Sequence, residues 1–263
     1  MSPTANKRSS PFLLAVVLTL SCQAIAATPK TTNLDLALPA GPHTTIGKWV
    51  TMIYDEACRR VGVDYKFRNY PGRRATLEAI TGRSDGEFIR AFTYLDDKPN
   101  LRRVDQAVLN LRYTALSKDP SISLNDWSSL SDTPYTLGYL RGTHLTEHHL
   151  HKRVPASRLK SYTSIERGLE ALREGRVDVF VGVELSMLHL QHAESHRHQQ
   201  IYVAGLMDTQ AQHLYLHKQH QDLVPAFNRA FTEMKQEKLI ERYRDIAIGR
   251  TNDGIHYAPG SPQ

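Results

Sequence analysis

Arg90 stands five residues after Asp85, just past the apolar pair Phe88-Ile89. A guanidinium at a strand end offers a carboxylate two parallel N–H donors, a fork that lysine cannot reproduce. The competing reading is a surface ion pair with Glu87 or Asp96. Gly142-Thr143 falls between a strand-like run and a helix-like one, with Arg141 just before it. The unpaired N–H groups and dipole of a helix start attract an anion, and the Thr143 hydroxyl adds a donor; that hydroxyl equally suits a plain N-cap. Glu184 follows the apolar run at 177–183, placed either to meet a ligand cation or to sit as an acid in the first turn of a helix. Tyr70, Arg73 and Arg74 surround the helix start at Pro71-Gly72, where the tyrosine ring can stack on a ligand or pack on the proline. His43 lies in the loop after the first strand and could face a cleft.

Histidines gather in two helix-like stretches, His144, His148, His149 and His151 in one and His189, His192 and His196 in the other. The pairs His148/His151 and His189/His192 have a spacing that can bring imidazoles to one face for zinc or copper. No cysteine or acidic partner completes either set, so neither a metal nor another cofactor is expected. No Gly-x-Ser-x-Gly elbow, His-Glu-x-x-His pair or phosphate loop occurs, and no residue is singled out for catalysis.

What must position these residues is a phrase used twice. Leu77-Glu78-Ala79-Ile80-Thr81-Gly82-Arg83-Ser84-Asp85 leads into Gly86-Glu87-Phe88-Ile89, and Leu169-Glu170-Ala171-Leu172-Arg173-Glu174-Gly175-Arg176-Val177-Asp178 leads into Val179-Phe180-Val181-Gly182. Each copy predicts an amphipathic helix, a glycine stop and a short apolar strand, the second half of a βαβ unit. Two copies far apart predict two similar α/β lobes, and a cleft between lobes is built to close on something. The remaining elements are strands at 34–38, 63–67, 88–92, 108–116, 135–140, 159–162, 177–183, 201–204 and 213–217. Helices are expected at 46–61, from Pro71, at 143–153, 164–174, 185–195 and 223–247.

The N-terminus reads as a secretory signal: Lys7 and Arg8, an apolar run from Phe12 to Leu20, and Ala24-Ile25-Ala26 for cleavage after residue 26. Cys22 raises a lipoprotein reading, against which Leu20 stands where a small residue is usual. The mature chain of about 237 residues has no other run long enough to span a bilayer and is expected in the periplasm. Cleavage leaves Cys58 alone, so no internal disulfide can form; in a helix with Ile53, Tyr54 and Ala57 it reads as a small buried hydrophobe. Removing Lys7 and Arg8 takes the formal charge from +6 to +4, scattered rather than striped, which excludes a nucleic-acid binder.

The ordered set of elements, with Gly138-Tyr139-Leu140-Arg141-Gly142-Thr143, Gly175-Arg176-Val177-Asp178 and the ending His213-Leu214-Tyr215-Leu216-His217-Lys218, resembles the family 3 extracellular solute-binding proteins, the periplasmic receptors of amino-acid-type ABC transporters. The resemblance implies an α/β, two-lobed type 2 periplasmic-binding-protein-like fold, each lobe a mixed sheet flanked by helices, with two hinge crossings. It places lobe one at 27–116, lobe two at 117–205, the hinge return and closing helices at 206–247, and a loose tail at 248–263. It implies a monomer that holds a small-molecule ligand between its lobes and docks on a membrane ABC permease. The chain departs from the family in three places. Pro39-Ala40-Gly41-Pro42-His43 replaces a Pro-Pro-Phe-type phrase. Val183 stands where the family carries an amine-binding aspartate. No clean Thr-x-x-Arg arginine follows the first repeat. Arg90, in an Asp-Gly-Glu-x-x-Arg phrase, takes that arginine's place as the anchor. Two other readings share the scaffold: an exported sensory or accessory ligand-binding protein, and a dehydratase-like enzyme in which Glu87, Glu184 or His43 would be the acid.

Overall fold

The computed structural model describes residues 32–95, 97–191 and 200–249. The signal-like segment with Cys22, and the tail from residue 250, lie outside the described residues, as do His192 and His196. Among the described residues no helix is long and apolar enough to cross a membrane.

The chain runs β1 (Asn33–Leu38), α1 (Thr45–Val61), β2 (Asp64–Asn69), α2 (Gly72–Ile80), β3 (Gly86–Ala91), β4 (Leu101–Arg103) and β5 (Leu109–Ser117). It continues β6 (Leu137–Leu140), α3 (His144–Arg153), β7 (Leu159–Tyr162), α4 (Ile165–Arg173), β8 (Val179–Val183), α5 (Glu184–Gln191), β9 (Tyr202–His217), α6 (Val224–Gln236) and α7 (Leu239–Ala247). The strands join in the order β2-β1-β3-β9-β5-β8-β6-β7, with β4 also on β9. At one end β1 pairs in parallel with β2 and β3; at the other, β6 pairs in parallel with β7 and β8. Between these two parallel groups run β5 and β9, antiparallel to each other from Leu109↔Gln212 to Ser117↔Tyr202. They are the two crossings: β3 joins the far end of β9, and β8 joins β5 with Tyr113 opposite Val183.

The repeated phrase makes the same device in both groups. Gly82 and Gly175 end their helices at φ 73° and 72°, a left-handed turn that a side chain would strain. Asp85 N donates to Asp35 O at 2.7 Å, while Asp35 N donates to Asp85 Oδ2 at 2.8 Å. Asp178 N donates to Thr136 O at 2.9 Å, while Thr136 N donates to Asp178 Oδ2 at 2.8 Å. Each aspartate thus fastens the start of its own strand to the start of the neighbouring one.

Helix α1 is started by Thr44, whose hydroxyl accepts from Gly47 N at 3.0 Å, and is stopped by Gly62 at φ 77°. Its buried stripe, Trp49, Ile53, Tyr54 and Ala57, packs against β1, β3, α6 and α7, and Trp49 Nε1 donates to Ile240 O at 2.8 Å. Cys58 is buried in the same stripe, and burial, with Asp55 and Asp64 adding to it, pushes its thiol up to about 12.

Two expectations give way. The strands expected at 201–204 and 213–217 are one strand of 16 residues, because the polar run between them pairs along β5. Strand β4 falls in a stretch read as irregular; three residues are too few to show a period. The closing helices expected at 223–247 are α6 and α7, separated at Lys238 with φ 57°.

Candidate ligand cleft

The turn after the carboxyl end of β2 and the turn after that of β6 face one another, and strand carboxyl ends are the usual place for a ligand in open α/β sheets. The turns meet: a β-carbon added at Gly72, the first residue of α2, would sit 3.5 Å from the carbonyl oxygen of Gly142, just before α3. On another side α1 touches α5. A small hollow lined by Ser117, Asp119, Tyr135, Val177 and Asp178 lies at the amino ends of β6 and β8, away from this meeting.

Arg90 is drawn inward. In a regular strand residues three apart face opposite sides, but the pairing slips by one residue between Glu87↔Tyr215 and Arg90↔His213. That bulge turns both side chains to one face. Glu87, fully buried, accepts from Arg90 Nε at 2.8 Å and from Arg90 Nη2, both on Oε1, while Tyr94 donates its hydroxyl to Oε2. The Arg90 guanidinium also lies 5.3 Å from the Tyr94 ring centre. The surface ion pair anticipated for Arg90 and Glu87 is therefore a buried one. Tyr94 reaches Thr76 Oγ1 at 2.8 Å, and Thr76 Oγ1 donates to Gly72 O at 3.2 Å, so the network runs from β3 to the start of α2. Burial, then Asp208, pushes the Tyr113 hydroxyl up to about 12, with Arg90 pulling weakly the other way.

The second cation at this place was not anticipated. Arg112, on β5, donates Nε to Glu184 Oε2 at 3.1 Å, and Thr114 donates its hydroxyl to the same oxygen at 2.8 Å. Arg112 and Thr114 are two apart on β5 and so share a face, and Glu184 begins α5 where β8 ends. Nη2 of Arg112 is buried and has no acceptor among the described residues. An orphaned charged donor is costly unless something accepts from it. An i, i+2 pair of Arg and Thr in an apolar alternation was the available signal in the sequence.

The remaining candidates are scattered around the mouth. Gly142 N donates to Glu147 Oε1 at 2.7 Å, so an acid of α3 itself takes the place foreseen for an anion. Thr143 makes no side-chain cap, in contrast to the expected N-cap, because its ψ of 90° lies off the extended value that aims the hydroxyl along the helix. Arg141 is exposed, with Nη2 3.2 Å from Ser161 Oγ. The Arg74 guanidinium lies 4.9 Å from the Tyr70 ring centre. Arg73 and His43 are exposed at the rim. Phe92, also not anticipated, is 54% exposed beyond the end of β3, with the Arg103 guanidinium 3.7 Å from its ring centre.

Among the described residues no group of three or more His, Cys, Asp and Glu side chains is placed to hold a metal. The spacing argument for His148 with His151 fails on orientation. His151 Nε2 meets the Tyr139 hydroxyl at 2.9 Å, and His148 instead lies beside His144.

No family model matches this chain. An uncharacterised protein of Shewanella oneidensis is 28% identical over 257 residues, 94% of this chain and 97% of the relative. The GluR0 ligand-binding core in complex with L-glutamate superposes with a TM-score of 0.68 at 8% identity, over 84% of this chain and 100% of the other. An ancestral arginine-binding protein bound to arginine gives 0.64 at 15% identity, over 82% and 98%. A histidine kinase sensor domain with similarity to periplasmic binding proteins gives 0.64 at 13%, over 84% and 96%. At such identities the likeness is one of fold: this chain has a two-lobed α/β fold like that of periplasmic binding proteins, with β5 and β9 as its two crossings.

Proposed function

We propose that this chain is an exported receptor that captures a small, carboxylate-bearing polar ligand between its lobes and presents it to an ABC-type permease. The observation that carries the reading is the buried Nη2 of Arg112, left without an acceptor beside Glu184 where the strand ends of both lobes converge. A ligand carboxylate would supply the missing acceptor, and a cationic group on the same ligand would meet Glu184. Arg90 contributes positive field from lobe one, since its own hydrogen bonds are committed to Glu87. On this reading lobe one is 27–116 with the return and closing helices at 206–247, lobe two is 117–205, and bending occurs where β5 and β9 cross, near Ser117 and between Gly205 and Tyr215. Closure is a hinge motion stabilised by contacts that both lobes make only when shut. The reading assigns the chain no catalytic step, a periplasmic location and a monomeric state.

The accessory reading has one observation in its favour: Val183 stands where the family carries its amine-binding aspartate, and Glu184 beside it is already tied to Arg112. A thermal-shift panel of amino acids, polyamines and small carboxylates tests both. A ligand at 100 times its Kd adds about 2.7 kcal/mol, read as several degrees of melting shift. A carboxylate hit supports capture of a solute; silence across the panel sinks it in favour of a protein partner.

A further inference from the structure

We propose that His144 and His148 form a two-imidazole site for a borderline divalent metal, copper(II) or zinc(II), on the rim of lobe two. The two residues are four apart at the start of the ten-residue helix α3, a spacing that stacks side chains on one face. Both are exposed, their rings are parallel to within 8°, and their centres lie 6.5 Å apart. Neither ring has a hydrogen-bond partner among the described residues, so all four nitrogens are open to a ligand-field role. Metal–nitrogen distances of about 2.0–2.1 Å are reached by turning two exposed rings toward each other, with no movement of the helix.

The neighbouring histidines are spoken for, which is what singles this pair out. His149 is stacked on Trp127 at 4.6 Å and 6°, and its Nδ1 lies 3.0 Å from Arg153 Nη1. His151 is held by the Tyr139 hydroxyl. The pair also sits in a meaningful place. It begins one residue after Thr143, beside the Gly142 carbonyl that faces Gly72 of lobe one. Asp97 of lobe one lies within electrostatic reach: its carboxyl is held below the usual range first by the hydrogen bond from Lys98 and in part by His144. A dication on the imidazoles would add positive charge facing that acid across the mouth.

The site is tested on the mature full chain by titrating copper(II) and zinc(II) at neutral pH, with calorimetry and electron paramagnetic resonance of the copper form. His144→Ala and His148→Ala are each expected to weaken copper binding roughly tenfold or more and to halve the nitrogen couplings in the copper spectrum. His149→Ala and His151→Ala are expected to change the affinity less than about twofold. All four variants are first compared with wild type by circular dichroism, so that loss of the metal is not loss of the helix. Copper binding that survives in the His144→Ala/His148→Ala double variant, or that follows His151 instead, overturns the assignment. Because the titration uses metal alone, its outcome is independent of whether the cleft binds a carboxylate.

Discussion

Asp85 and Asp178 occupy equivalent positions: the Oδ2 of each accepts a backbone N–H at 2.8 Å, from Asp35 in one case and Thr136 in the other. The phrase that repeats in the sequence is thus a fastening between strands, and its function is to set the sheet register on either side of the cleft. Asp85 carries an addition that Asp178 lacks, since its Oδ1 meets His220 Nε2 at 2.6 Å and Gln219 Nε2 at 2.8 Å.

Replacement of either aspartate by alanine removes that acceptor and leaves a backbone donor at a strand start unpaired. Each change is expected to cost about 1–3 kcal/mol. Asp85→Ala should cost more than Asp178→Ala because it also frees His220. Urea midpoints for the two variants check the order; equal losses would mean that the His220 contact contributes nothing.

Glu87→Gln should be among the most damaging changes to the chain. It leaves the Arg90 cation buried without a counter-charge, a loss of about 3 kcal/mol, where the wild type has two guanidinium bonds and the Tyr94 hydroxyl on one carboxylate. Adding Arg90→Met in the same chain should recover part of that loss, because the unpaired charge is then gone. A double variant less stable than Glu87→Gln alone would contradict the network.

Acid titration should expose the ion pairs that Glu56 makes along α1. The hydrogen bond from Arg59, and then that from Arg60, holds the Glu56 carboxyl down at about 2 from its ordinary 4.5. A depressed carboxyl stabilises the fold above the unfolded value and loses that contribution as pH falls through the folded one. The melting-temperature gap between wild type and Glu56→Gln is therefore expected to be full at pH 5 and to close toward pH 2. A gap that stays constant over this window would show that the ion pairs of Glu56 do not act on stability.

Cys58 should be inert in the folded chain. Its thiol is pushed up to about 12, chiefly by burial, so almost no thiolate is present at neutral pH and no reagent reaches it. Alkylation in native buffer is expected to be on the order of 100-fold slower than in urea; equal rates would place the residue at the surface.

Much of this architecture is legible in the sequence because it rests on local periods. The repeated helix–glycine–strand phrase and the stop at Gly62 both act within a few residues. The parts that escape are those decided by partners far along the chain. A period of two puts Glu87 and Arg90 on opposite faces, and only the slipped register against β9 brings them together. Arg112 reads as one outward position in an alternating strand until Glu184, 72 residues on, is found against it. The cap expected from Thr143 fails for a local reason, since its ψ of 90° lies off the extended value that aims the hydroxyl along the helix.

The central claim is that a carboxylate closes the unfilled bonding of Arg112 between the lobes. Calorimetric titration of the best carboxylate from the thermal-shift panel into wild type and Arg112→Met tests it most directly. The account predicts one site per chain, with binding weakened roughly 100-fold in Arg112→Met, the loss expected when a buried charge-assisted bond is removed. Binding of equal strength to both proteins would contradict it.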